Sequence, residues 1–235
     1  MSIPLVKVPR YQMTLPLTGE VIDYRPFLVK EEKLLIMAKD SGDRQMIIRT
    51  VGDIVRDCTD GKVDATIHPM FHVEYAFLEI RGKSVGEEIE YYLVCGKCGH
   101  KTTTYTKVDD FKLLTHEGHT NNVVVNEEIR LTMKYPTFED FVTLFGDKEE
   151  DLPNVDAVVA KCVDTMITKD EVIKVTRDNR GEMKDFIDNM LPEQYTKLEQ
   201  FFATMPVLQC EKEYTCDRCG TDNVVNIGGI NNFFV

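Results

Sequence analysis

Two cysteine pairs have the spacing of metal ligands. Cys95-Gly96-Lys97-Cys98 is followed by Gly99, and Cys216-Asp217-Arg218-Cys219 is followed by Gly220. Two thiolates two residues apart reach one tetrahedral ion, at about 2.3 Å each, only if the backbone between them turns tightly. A glycine after the second cysteine permits the left-handed conformation that aims backbone amides at sulfur. One such knuckle is a weak signal, because a redox pair has the same spacing. Two knuckles, each with β-favouring runs on both sides, point instead to structural zinc, and neither is followed by the βαβ setting of a redox motif. Cys95, Cys98, Cys216 and Cys219 are therefore the expected ligands of one zinc ion. Four thiolates close the site to water and substrate, so catalysis by this metal is not expected. Residues 99–215, 117 in all, separate the knuckles. That length leaves open whether both share one ion; if they do, the metal crosslinks distant parts of the chain.

Other candidates read as structure. His68 and His72 are four apart, but the segment HPMFH lacks the glutamate of a catalytic zinc helix. His100 could serve only as a fifth ligand or an outer donor. His116 and His119, in HEGH, suggest a solvated turn. The adjacent carboxylates Glu31/Glu32, Glu87/Glu88 and Glu127/Glu128 cannot converge on one site and read as solvated faces. Cys58, Cys162 and Cys210 read as buried thiols, although Cys210 lies near enough to Cys216 to substitute as a ligand. Phosphate-loop, dinucleotide-binding and nucleophile-elbow motifs are absent. The sequence thus offers no catalytic and no cofactor-binding residue beyond the zinc ligands, and an enzyme is not expected.

Composition narrows the class further. Of 235 residues 43% are apolar, with nine Tyr and twelve Phe, enough for a core without disulfides. The net charge of −12 repels phosphate backbones and weighs against nucleic-acid binding. No apolar run approaches a bilayer span, and the N-terminal segment does not read as a secretory signal. The expected setting is the cytoplasm, where disulfides are disfavoured. No small-molecule substrate and no membrane partner are expected.

The elements that must position the knuckles follow from periodicity. Residues 1–29 read as an extended arm with a hairpin at Thr18-Gly19, and Pro26 interrupts its second strand. Residues 30–86 read as a helical block. One helix ends at Gly42, and a second is capped by Asp43 with Ile47, Ile48, Val51, Ile54, Val55 and Cys58 on one face. Residues 68–85 fit a strand or a buried helix, and helix is preferred. Residues 87–130 and 207–235 form the expected discontinuous zinc ribbon, with the strands flanking the two knuckles pairing. Residues 131–206 read as a helical insert. Within it Thr137 and Asp140 form a capping arrangement, and Val155, Val158, Val159, Cys162, Val163 and Met166 mark one helical face. An acidic loop precedes that face, and two shorter helices follow it, separated at Pro192. The predicted class is α+β: helical blocks around a small antiparallel zinc ribbon whose knuckles are separated by a helical insert.

Several stretches stand in order along the chain: IDYRPFLVKEEKLLIMA (22–38), HVEYAFLEIRGKSVGE (72–87), the CGKC knuckle, IRLTMKYPTFEDF (129–141) and YTCDRCGTDNVVNIGGINNFF (214–234). Taken together, they resemble the T4-like tailed-phage baseplate hub protein family. Asp217 stands where proline is common in the family's second knuckle, which removes no ligand. The resemblance implies a non-enzymatic structural or assembly component of a baseplate hub, with other baseplate and tail proteins as partners. It implies host cytoplasm during assembly and the virion tail baseplate afterwards. The alternative is a zinc-ribbon regulator that binds nucleic acid during infection. The apolar tail ending in Phe233-Phe234-Val235 either packs on its own ribbon or docks a partner.

Overall fold

The computed structural model describes residues 6–140 and 155–229. The chain forms two compact units, one of residues up to Leu114 together with those from Val207 onward, the other of Thr115–Pro206.

The first unit opens with the antiparallel hairpin β1 (Tyr11–Thr14) and β2 (Val21–Tyr24), in which Met13 pairs with Ile22. Alternate residues Met13, Ile22 and Tyr24 are buried, as a strand period of two requires. The reversal is made where expected, with Gly19 at φ 69° donating its amide to Leu15 O. Helix α1 (Val29–Ser41) stops at Gly42, whose φ of 67° lets its amide reach Lys39 O. Asp43 then caps α2 (Arg44–Cys58), its carboxylate accepting from the amides of Gln45 and Met46. Ile48, Val51, Ile54, Val55 and Cys58 line the buried face of α2.

Residues 70–85 are helical: α3 (Met70–Val85) buries Phe71, Val73, Ala76, Phe77, Leu78 and Ile80, on more than one face. The strand-like alternation of Phe71, Val73, Tyr75 and Phe77 is that of a helix buried nearly all round, which periodicity alone cannot separate from a strand. The hairpin is tied to these helices through backbone. Arg25 N donates to Cys58 O at 2.9 Å, and Phe27 N donates to Ser84 Oγ at 2.9 Å. Beyond α3, strands β3 (Glu88–Val94) and β4 (Lys101–Lys107) form a hairpin, and β5 (Lys112–Leu114) follows.

The second unit is not the helical insert that the sequence suggests. Its centre is a four-stranded antiparallel sheet ordered β6 (Asn122–Val124), β7 (Arg130–Met133), β8 (Val163–Ile167) and β9 (Val172–Lys174). Helices α4 (Val155–Cys162), α5 (Arg180–Asp188) and α6 (Pro192–Thr204) accompany it. The helical face read over 155–166 ends at Cys162. Val163 and Met166 are buried in β8, where Met166 pairs with Leu131 and Ile173. Strands at 122–133 pair within this unit rather than with the cysteine hairpins, so the division falls at 114/115 instead of 130/131. Thr137 and Asp140 cap as expected: Thr137 N donates to Asp140 Oδ2 at 2.9 Å, and Asp140 N to Thr137 Oγ1 at 3.2 Å. Lys161 adds an ion pair to Asp140 at 3.0 Å. The helix expected from Phe141 onward, the acidic loop expected at 147–154 and the tail at 230–235 lie outside the described residues.

His119 is no solvated turn residue. Its Nδ1 lies 2.9 Å from Thr204 Oγ1 and its Nε2 3.0 Å from Tyr135 OH, with the ring stacked on Tyr135 and tilted against Phe201. Burial holds its pKa below the ordinary histidine value. A folded pKa below the unfolded one means that stability is present above pH 6.5 and is lost as pH falls. The urea midpoint is therefore expected to drop between pH 7.5 and pH 5.5, and to drop less in His119→Gln; equal drops would remove His119 from the cause.

The chain returns to the first unit through β10 (Val207–Thr215) and β11 (Asp222–Gly228). The sheet order is β11-β10-β5, with Val207 opposite Leu114, so the chain leaves and re-enters this unit on neighbouring strands. The two cysteine hairpins do not hydrogen-bond into one ribbon. β3–β4 is a separate two-stranded sheet. The side chain of Lys212 on β10 reaches Tyr105 O on β4 at 2.8 Å. The core lies between these strands and the helices, with Ile89, Tyr91, Leu208, Cys210 and Ile227 buried.

Candidate metal centre

Each knuckle closes its own hairpin by the same backbone scheme. Cys95 N donates to His100 O and Gly99 N to Cys95 O, both at 2.9 Å; Cys216 N donates to Thr221 O and Gly220 N to Cys216 O, again at 2.9 Å. Gly99 and Gly220 sit at φ 68° and 66°. A side chain would be strained in that region, so C-x-x-C-G is the local sequence the turn demands.

The four sulfurs converge. The Sγ atoms of Cys95, Cys98, Cys216 and Cys219 all lie within 4.8 Å of one another and could hold a metal ion. Cys95 and Cys219 are 3.7 Å apart at sulfur, as are Cys98 and Cys216. Four sulfurs at about 2.3 Å from a tetrahedral centre stand about 3.8 Å from each other, so the spacing fits an S4 cage. It is far outside the roughly 2.05 Å of a disulfide.

The electrostatics favour a cation. Hydrogen bonds from the Cys98 and Lys97 amides hold the Cys95 thiol below its ordinary value, and the Thr221 hydroxyl and amide bring Cys219 down to about 6. The His100 amide favours the Cys98 thiolate as well, but the neighbouring thiols and desolvation outweigh it and push Cys98 up to about 12. Amides thus stabilise part of the negative charge, and a divalent ion would stabilise the rest.

The two knuckles also grip each other directly. Asn223 accepts from Gly96 N at 3.2 Å, and its Nδ2 donates to Thr221 O at 2.8 Å and lies 3.7 Å from Cys95 Sγ. Asp217 accepts from the Thr102 hydroxyl at 2.9 Å and lies 3.0 Å from His100 Nε2. His100 is therefore turned to a carboxylate and is not in the sulfur cluster. Cysteine spacing gives no signal for Asn223 or Thr102. Thr221 could have been found, because it stands in the second knuckle where His100 stands in the first. Asn223→Ala is expected to keep the metal but weaken its binding by about 10-fold, as loss of a ligand-orienting partner does. Competition with a chromophoric chelator measures this, and an unchanged affinity would show that the bridge does not orient Cys95.

The other sequence candidates fall elsewhere. Cys58, Cys162 and Cys210 are buried away from the cluster, and burial pushes Cys58 up to about 11 and Cys162 up to about 12. His68 Nδ1 accepts from Asp64 N, whereas His72 Nε2 donates to Pro16 O, so they form no metal pair. Glu31 corrects the reading of the carboxylate pairs: it is buried and accepts from Arg25 and from Leu28 N, while Glu32 is exposed. No helix among the described residues is long and apolar enough to cross a membrane.

A family model described as T4 bacteriophage base plate protein matches residues 8–235. The baseplate hub assembly protein gp26 of Enterobacteria phage T4 is 22% identical over 229 residues, covering 95% of this chain and 97% of that protein. No solved structure matches the chain.

Proposed function

This chain belongs to the T4 bacteriophage base plate protein family, and on that premise we propose that it is a non-enzymatic structural or assembly component of a phage baseplate hub, held together by one zinc ion on Cys95, Cys98, Cys216 and Cys219. The match of nearly the whole chain, end to end with a hub assembly protein, carries the hub reading. The ligand set supports zinc, since all-thiolate tetrahedral sites select zinc or iron–sulfur centres and an isolated S4 cage of two knuckles suits the former. The ion supplies no reactive position. The cysteines bind it, Gly99 and Gly220 let the backbone turn towards it, and Asn223 and Asp217 orient the two knuckles around it. The product is a rigid unit whose partners are other baseplate and tail proteins, met in the host cytoplasm and retained in the tail.

The test is genetic and biochemical. A tagged chain purified from infected cells should bring down baseplate or tail proteins, and its deletion should leave particles without complete baseplates. Normal tails from the deletion, together with no recovered tail protein, would overturn the proposal.

A further inference from the structure

Helix α1 carries more apolar surface outward than inward. Leu35 and Ala38 are its buried apolar side chains, and the third buried position is the ion-paired Glu31. Val29, Leu34, Ile36 and Met37 are 64%, 51%, 52% and 60% exposed. Single exposed aliphatics are ordinary; Leu34 lies about 160° from Ile36 around the helix, but Val29, Ile36 and Met37 share its outer side. At 100° per residue, Val29, Lys33, Ile36 and Asp40 fall on one line opposite the buried positions, with Met37 beside it.

The charges on that line say what fits. Lys33 and Asp40 flank the apolar pair Ile36–Met37 at equal distances along the helix, and neither has an ion-pair partner among the described residues. A two-fold axis between Ile36 and Met37 turns Lys33 of one copy onto Asp40 of another, twice, and lays the apolar pairs against each other. A surface that complements itself under a two-fold is the requirement for an isologous dimer. An unrelated partner has no reason to need opposite charges spaced evenly about one centre.

We propose that α1 is a self-association face, on which a second copy of this chain docks antiparallel through Ile36 and Met37, with Lys33–Asp40 pairs at both ends. One helix face covers less than the roughly 800 Å² per partner of a stable interface, so the dimer is weak and forms as local concentration rises. That suits a component gathered into a ring or hub.

Sedimentation equilibrium of the full chain from about 5 to 500 µM tests this, a range set by an interface below standard size. The wild type should move reversibly from monomer towards dimer. Ile36→Asp should weaken the dimer at least about 10-fold, as removal of a central apolar contact does. Lys33→Glu and Asp40→Lys should each weaken it, and the double exchange Lys33→Glu/Asp40→Lys should restore it, because the swapped charges meet again. These positions are exposed, so circular dichroism and bound metal should match wild type in all four variants. A monomer at every concentration would overturn the proposal. So would a dimer indifferent to these changes, or a double exchange no better than the singles, either of which would assign the face to a different partner.

Discussion

Replacing Cys216 with Ser is expected to release the proposed zinc and to free the β10–β11 hairpin from the middle of the chain. Three sulfurs and a hydroxyl hold zinc poorly, and the binding energy lost is folding energy, on the order of 10 kcal/mol in small zinc peptides. Here the effect is local. α1, α2 and α3 bury Ile54, Val55, Phe77, Leu78 and Ile80 without help from the metal. The proposed ion would join β3–β4 to β10–β11, whose other direct knuckle contacts are the Asn223 and Asp217 hydrogen bonds and the His100–Asp217 pair. Loss of only about 3 kcal/mol from the opening of that hairpin raises its open population about 100-fold. Limited proteolysis should therefore cut within residues 207–229 about 100-fold faster when opening and closing are fast relative to cleavage, while far-UV circular dichroism keeps the helical signal. Cys162→Ala, a change in the other unit's core, should leave metal content untouched. Unchanged zinc and unchanged cleavage in Cys216→Ser would remove the staple from the account.

The second large effect is expected at Arg25. Its guanidinium donates to Glu31 Oε1 at 3.0 Å, and the Glu31 side chain is only 3% exposed. The same carboxylate accepts from Leu28 N at 2.7 Å, closing the N-terminus of α1. Arg25→Met keeps the volume and removes the charge, leaving a buried carboxylate short of its partner. Breaking one side of a buried pair destabilises by about 3–5 kcal/mol. Burial alone would raise the Glu31 pKa, but Arg25, the Leu28 amide and Lys30 more than reverse it, so the folded value is lowered. A lowered carboxylate pKa contributes stability above the unfolded value, near 4.3, that is lost as pH falls through the folded one. The deficit of Arg25→Met should shrink as pH falls below the unfolded value and through the lowered folded one, because protonation of Glu31 removes the charge that the arginine stabilises. Urea unfolding at pH 7 and pH 3.5 measures this; an equal deficit at both would mean that the arginine acts through packing.

The parts of this structure legible in the sequence are those fixed by local chemistry. Gly42 and Asp43 mark the break between α1 and α2, because one permits a left-handed turn and the other caps the next helix. The two C-x-x-C-G segments mark the knuckles for the same kind of reason. The parts that local chemistry does not fix depend on partners distant in sequence. Val155 to Met166 fits a helical period throughout, yet Val163 leaves the helix because β7 offers it a strand to pair with. The three-residue strand β9 is too short to show a period at all. The pairing of β10 with β5, instead of one ribbon shared by the knuckles, is a choice between edges that no spacing encodes. Glu31 reads as half of a solvated pair because nothing in the spacing shows that the Arg25 guanidinium, six residues before it, turns back onto its carboxylate.

X-ray absorption at the zinc edge of the purified full-length protein tests the clasp most directly. The account predicts one zinc per chain with four sulfur neighbours at about 2.3 Å and no oxygen or nitrogen neighbour. A coordination shell containing water or imidazole, or less than one zinc shared among several chains, would contradict a closed four-thiolate staple.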